Sequence, residues 1–194
     1  MTIKLIVGIG NIGAEYINTR HSIGHRYIHM LTKKYKVNLK LDKILSGFIG
    51  SLTICKSMTV QLLIPNSYIN ESGLAVYKYM KLYRLDLKEL LVVHDELDLS
   101  PGMIRIKLGN KLYESHRGIQ NIINNLSNQY GFYRLRIGIG RPKNKNEIVN
   151  FVLSSPSIHE KKKIDFIMNQ AILCIEDIIF DKFVKVMNQL HPKI

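Results

Sequence analysis

Tryptophan is absent from the 194 residues, and cysteine occurs only at Cys55 and Cys174. Two cysteines so far apart, each in an apolar setting, do not make the framework of a disulfide-stapled secreted domain. They are expected to be buried free thiols in a reducing cytoplasm. No apolar run approaches the ~20 residues that a helix needs to cross a bilayer. A spanning helix is therefore excluded, and the hydrophobic fraction of 46% reads as that of a soluble globular chain. The chain enters a strand pattern at once, so no signal peptide is expected. Internal repeats and linker-like segments are also missing, which predicts one domain over residues 1–194. Finally, no H-E-x-x-H or paired-cysteine spacing offers a zinc site, and no G-x-S-x-G offers a nucleophilic serine. Hydrolytic chemistry here would have to use an ordered water.

Acidic residues are scarce: Lys and Arg number 28 against 15 Asp and Glu, a formal charge of +13. That favours a polyanionic partner, nucleic acid ahead of an anionic membrane surface. A chain rich in Ile, Lys and Asn carries some of this charge as the signature of an AT-rich genome. Clustered arginines therefore weigh more than scattered lysines, because the guanidinium is the better phosphate fork.

The stretch Ile3 to Gly24, IKLIVGIGNIGAEYINTRHSIG, organises the rest. Ile3, Leu5, Ile6 and Val7 suit a buried strand. Gly8, Gly10 and Gly13 let the backbone turn, and Asn11, Tyr16, Asn18, Arg20 and His21 follow as a polar loop. A helical period opens at Ser22 with Ile23, Tyr27, Met30 and Leu31. Gly8-Ile9-Gly10-Asn11-Ile12-Gly13 matches the dinucleotide fingerprint, but that site needs its helix to open among the glycines and an acidic residue ~20 positions later. Here the helix opens late, and Thr32-Lys33-Lys34-Tyr35-Lys36 is basic. A dinucleotide-dependent oxidoreductase is the weakest of the readings.

Further strands are expected at Phe48–Ile54 and Thr59–Ile64, joined by a tight turn at Lys56-Ser57, and at Leu90–Val93, Met103–Leu108 and Tyr133–Gly140. Leu90–Val93 reads as the centre of a sheet buried on both faces. Helices are expected around Leu74 to Leu82, around Ile119 to Leu126, at Ile148 to Val152, and as one long period from Ser157 through Ile178. Three strands thus end in polar groups: Asn11 to His21, Tyr68 to Asn70, and His94 to Asp98. A mixed sheet brings such ends to one edge, where open α/β sheets place ligands. A His and an Asp meeting there make a base and its orienter. The structural alternative is that Asp95 caps a turn and Asn70 caps the next helix.

G-I-G-N-I-G-A-E-Y-x-N-T-R-H, P-N-S-Y-I-N-E-S-G, H-D-E-L-D-L-S-P-G-M-I-R-I-K and Y-R-L-R-I-G-I-G-R-P, in this order over nearly the whole chain, resemble the bacterial-type peptidyl-tRNA hydrolases. The resemblance implies an α/β fold: a single three-layer domain with a central mixed sheet flanked by helices. It implies a cytoplasmic monomer that cleaves the ester between a peptide and the 3′-terminal ribose of tRNA, with no cofactor, no metal, no membrane and no protein partner. By position, His21 would activate water and Asp95 would hold it in its basic form. Asn11 would help tell blocked from free aminoacyl ends. Asn70 would bind the peptide beside the ester, and Tyr16 and Tyr68 would line the groove for the 3′ end. Alternation places Arg105 and Lys107 on one side of their strand and Arg134 and Arg136 on one side of theirs. With Arg141 and Lys143 they form the basic face expected to meet tRNA.

The chain departs from the family in the turn Asn11-Ile12-Gly13, in Tyr68-Ile69, and most in the loop Gly109 to Gly118. There the family is glycine-rich and ends in G-H-N-G, whereas this chain ends in Ser115-His116-Arg117-Gly118. Arg117 stands where the family has a substrate-binding Asn, just before a helix. A guanidinium there is expected to bind phosphate in place of a neutral amide contact. A tRNA-binding protein that has lost catalysis is the competing reading from another class, and retention of both His21 and Asp95 argues against it.

Overall fold

The apolar run that opens the chain forms strand β1 (Leu5–Gly8), and every residue of it is buried. The computed structural model describes residues 2–54, 58–111 and 114–190. The other strands are β2 (Lys40–Asp42), β3 (Gly47–Ile54), β4 (Met58–Pro65), β5 (Leu90–Glu96), β6 (Ile104–Leu108) and β7 (Tyr133–Gly138). They form one mixed sheet in the order β2-β3-β4-β1-β5-β7-β6. Its inner strands β4, β1, β5 and β7 run parallel, and β2, β3 and β6 are added antiparallel.

The helices are α1 (Ile23–Tyr35), α2 (Gly73–Tyr83), α3 (Arg117–Asn125), α4 (Ile148–Leu153), α5 (Ile158–Leu173), α6 (Ile175–Ile179) and α7 (Phe183–Leu190). Residues of α1, α5, α6 and α7 share one buried cluster with Leu91 and Val93, while α2 and α3 share another with Leu90 and Val92. Successive residues of a strand point to opposite faces. A strand covered on both sides therefore needs an unbroken apolar run, which is why Leu90–Val93 reads as it does.

Two close approaches bring the polar strand ends together. A Cβ on Gly24 would lie 2.4 Å from the carbonyl oxygens of Ile9 and Val93, and one on Gly8 would lie 2.2 Å from the carbonyl of Gly24. With no side chains there, α1 starts directly over the ends of β1 and β5. Two single turns of 3-10 helix, at Ala14–Tyr16 and Arg20–Ser22, precede it. The glycines of the loop thus do not open an α-helix, and the fingerprint match is fortuitous.

The structure departs from the sequence expectation in several places. The three-residue edge strand β2 was not anticipated, since Lys-Leu-Asp carries no strand pattern. The period from Ser157 to Ile178 is broken at Cys174 into α5 and α6. Both pieces bury the same side, so the apolar spacing runs through the break. Strand β7 stops at Gly138, because Gly140 turns with φ 75°. Cys174 is a free, half-buried thiol that meets Gln189. Cys55 and the turn at Lys56-Ser57 lie outside the described residues. No described helix is long and apolar enough to cross a membrane.

Candidate active site

Strands β1, β4 and β5 are parallel, so their carboxyl ends open on the same edge. A cleft of about 590 Å³ lies there, lined among others by Asn11, Tyr16, His21, Tyr68, Asn70, Asp95 and Arg117. At its floor Asp95 is 2% exposed, and its carboxylate oxygens lie 3.0 and 2.9 Å from Nδ1 of His21. A second imidazole shares this carboxylate: Nε2 of His116 is 2.9 Å from Asp95 Oδ1. The reading of motifs did not assign His116. Its ring is also the N-cap of α3, where Nδ1 accepts the backbone N–H of Ile119 at 3.3 Å. Histidine is not among the usual capping residues, but His116 keeps the His of the G-H-N-G pattern just before a helical period, and that signal could have drawn attention to it.

These bonds fix the tautomers. Nδ1 of His116 accepts, so the proton of the neutral ring is on Nε2 and is donated to Asp95. Asp95 is an acceptor only, so Nδ1 of His21 is the donor and Nε2 carries the lone pair. That Nε2 has no hydrogen-bond partner among the described residues. Burial pushes the His21 imidazole down, and the charge and hydrogen bond of Asp95 more than offset this. Arg117 pulls it down again, and the net shift is upward. Burial pushes the Asp95 carboxyl up, but the charges and hydrogen bonds of His116 and His21 hold it well below the ordinary carboxylate range. His94, buried behind them and edge-on to His116, is driven well below 6.5, first by burial and then by His116.

One ligand atom from each of His21, Asp95 and His116 lies within 4.8 Å of the others, a spacing a metal ion could use. The donor set fits a metal poorly. The contacts are hydrogen bonds with protons between the atoms, and the Ile119 N–H selects the form of His116 whose Nε2 offers no lone pair.

Asn11 is placed by two backbone contacts. Its N–H reaches Oγ of Ser22 at 3.3 Å, and its side-chain oxygen accepts the N–H of Ile69 at 2.9 Å. With the oxygen committed, the amide NH2 is the group left for the cleft. Tyr16 and Tyr68 meet edge to face, their ring centres 6.3 Å apart, and Tyr68 is half exposed. Asn70 is exposed in the 3-10 turn Ile69–Glu71. Ile148, Val149, Val152 and Leu153 of α4 form an apolar wall of the cleft.

The basic residues divide. Register pairs Arg105 with Arg136 and Lys107 with Arg134, so all four leave the same face of the sheet. Arg136 is held by Glu96 through Nε at 2.7 Å and Nη2 at 2.6 Å. Arg134, 6% exposed, pairs with Glu114 at 2.8 Å, and Arg141 pairs with Asp98 at 2.5 Å. Lys107 and Lys143 are exposed, Arg105 half-buried. Arg117 is the exposed first residue of α3 on the cleft, with no ion-pair partner among the described residues.

An α/β sheet with a hydrogen-bonded His–Asp pair and polar strand ends gathered at one edge is an arrangement that hydrolytic sites use. The peptidyl-tRNA hydrolase family model matches residues 5–194. The peptidyl-tRNA hydrolase of Sodalis glossinidius is 44% identical over 191 residues, 98% of this chain and 97% of that protein. That of Proteus mirabilis is 41% identical over 189 residues, 97% of this chain and 96% of that protein. The crystal structure of peptidyl-tRNA hydrolase from Acinetobacter baumannii superposes with a TM-score of 0.91 at 35% identity, covering 98% of this chain and 95% of that one. The chain belongs to the peptidyl-tRNA hydrolase family.

Proposed function

We propose that this protein hydrolyses the ester joining a peptide, or an N-blocked aminoacyl group, to the 3′-terminal ribose of tRNA, with His21 as general base. Family membership supports the substrate class. The observation that carries the mechanism is the His21–Asp95 hydrogen bond, which leaves Nε2 of His21 unprotonated and facing the cleft.

His21 Nε2 takes a proton from water as the water oxygen bonds to the ester carbonyl carbon. Asp95 stabilises the imidazolium that forms. Collapse of the tetrahedral intermediate breaks the bond to the ribose 3′-oxygen, which takes the proton back from His21. The products are the free peptide acid and tRNA with a 3′-hydroxyl. His116 donates to the same carboxylate, which tempers its field at His21 and keeps more of the base neutral near pH 7.

Discrimination follows from the orientation of Asn11. Its NH2 is a donor, and a peptidyl or N-acyl group offers a carbonyl acceptor. A free aminoacyl end offers an ammonium, which only donates. Asn70 binds the peptide beside the ester, and Tyr16 and Tyr68 receive the terminal base. Arg105, Lys107, Arg136 and Arg117, with the outer Arg141 and Lys143, meet the phosphates. The test is release of the blocked amino acid from N-acetyl-aminoacyl-tRNA by the purified protein, with unblocked aminoacyl-tRNA in parallel. Rapid release from the first alone is expected. Binding of tRNA without release would favour a binding protein of the same fold.

A further inference from the structure

We propose that the Glu114–Arg134 ion pair tethers the loop before α3 and so positions His116 on Asp95, an inference that rests on the reading of His21 as base. Arg134 lies in β7 and is registered with Val92 of β5, the strand that carries Asp95. Its side chain is 7% exposed and that of Glu114 20%, so this pair is shielded from water where the Arg141–Asp98 pair, 44% and 65% exposed, is not. A guanidinium buried this deeply is poorly placed to meet a phosphate from outside and well placed to hold a carboxylate from within.

Glu114 is fixed from a second side as well. Its backbone N–H donates to Oε1 of Gln120 in α3 at 2.7 Å. Two residues further on stands His116, and a two-residue step spans at most about 7 Å. The start of the loop is also fixed, by the Gly109 N–H on the carbonyl of Phe132 at 2.9 Å. A closed circuit results: β7, Arg134, Glu114, His116, Asp95, β5, and back to β7 through the sheet. Both anchors are on adjacent strands of one rigid layer. Cutting the circuit at the Glu114 side chain leaves the His116 ring held by Asp95 and the 3.3 Å bond from Ile119, with its backbone tied only to α3 through Gln120 and no longer to β7. Glu114 is thus a positioning residue, acting through His116.

Two readouts test this, one of them independent of catalysis. Nitrogen-15 spectra of the imidazoles report the tautomer of His116, and the acid limb of kcat/KM on N-acetyl-aminoacyl-tRNA reports the base. In Glu114→Gln the His116 signals are expected to average between tautomers. The titration of His21 and the acid limb should move up together by roughly half a pH unit as Asp95 loses a donor. The double variant Glu114→Gln, Arg134→Met removes both charges and leaves no orphan cation. It is expected to show the same averaging, which guards against a single variant that merely misfolds. An unchanged fixed tautomer of His116 in either folded variant would overturn the tether. Averaged signals with an acid limb that does not follow His21 would support the tether and overturn His21 as the base.

Discussion

The side-chain oxygen of Asn11 accepts the backbone N–H of Ile69 at 2.9 Å, joining the loop after β1 to the turn after β4. That one bond orients an amide whose two ends would otherwise be interchangeable. It leaves the amide NH2, a donor, as the end turned to the cleft.

Replacing this amide by a carboxylate keeps the bond to Ile69 and reverses the other end. Asn11→Asp is expected to lower kcat/KM for N-acetyl-aminoacyl-tRNA by roughly tenfold or more, the scale of one hydrogen bond lost to repulsion. Cleavage of unblocked aminoacyl-tRNA should not fall in parallel. Competition between the two substrates measures the ratio, and an unchanged ratio would remove Asn11 from discrimination.

Asp95 faces two N–H donors, and an amide has only one acceptor oxygen. In Asp95→Asn, the NH2 must face one imidazole. His116 is fixed by Ile119, so His21 is the ring that turns to the other tautomer, with Nε2–H toward the water. A loss of ~10²–10⁴-fold in kcat is expected, the range for general-base catalysis, with tRNA affinity nearly unchanged. Single-turnover kinetics beside equilibrium binding separate the two quantities.

Stability should fall between pH 7 and pH 5, before carboxylates protonate. His25 is pushed down to about 4, first by burial and then by His29, and His94 lies well below 6.5. Both stay neutral in the fold and become charged in the unfolded chain. Their stabilisation is complete above 6.5 and is lost as pH falls toward the folded values, for His25 by roughly 1 kcal/mol at pH 5.5. His21 is shifted the other way, so its contribution is complete below 6.5 and is lost as pH rises through its higher folded value. His29 is lowered by burial as well, so three groups against one give a net decline on acidification. Urea unfolding at pH 7 and 5.5 measures it, and equal or greater stability at pH 5.5 would contradict this balance.

Arg117 is an exposed cation lining the cleft, and it lowers the basicity of His21. Arg117→Asn is expected to weaken tRNA binding at moderate salt by a few-fold and to reduce the salt slope by about one unit. Turnover of bound substrate should hold or rise, because His21 becomes a stronger base. Affinity at two salt concentrations, with single-turnover rates, tests this. No change in either would leave Arg117 without a role.

All strands but the short, largely exposed β2 were legible because their burial dictates their pattern: continuous apolar residues in β1 and β5, alternation in β6 and β7. The meeting of His21 with Asp95 followed from parallel strands ending together. What stayed hidden depends on contacts that sequence spacing does not encode. His116 acts through an unusual cap, and the partners Glu114, Glu96 and Asp98 lie far along the chain from the arginines they hold. Alternation showed that Arg134 shares a face with Arg136, but its shielded pairing with Glu114 is a contact that spacing does not encode.

The most direct measurement is single-turnover release of N-acetyl-amino acid from tRNA by His21→Ala beside the unaltered protein, with tRNA affinity determined on both. A loss of ~10²–10⁴-fold in rate at nearly equal affinity is the expected result. Full turnover in His21→Ala would contradict the assignment of this histidine as the base.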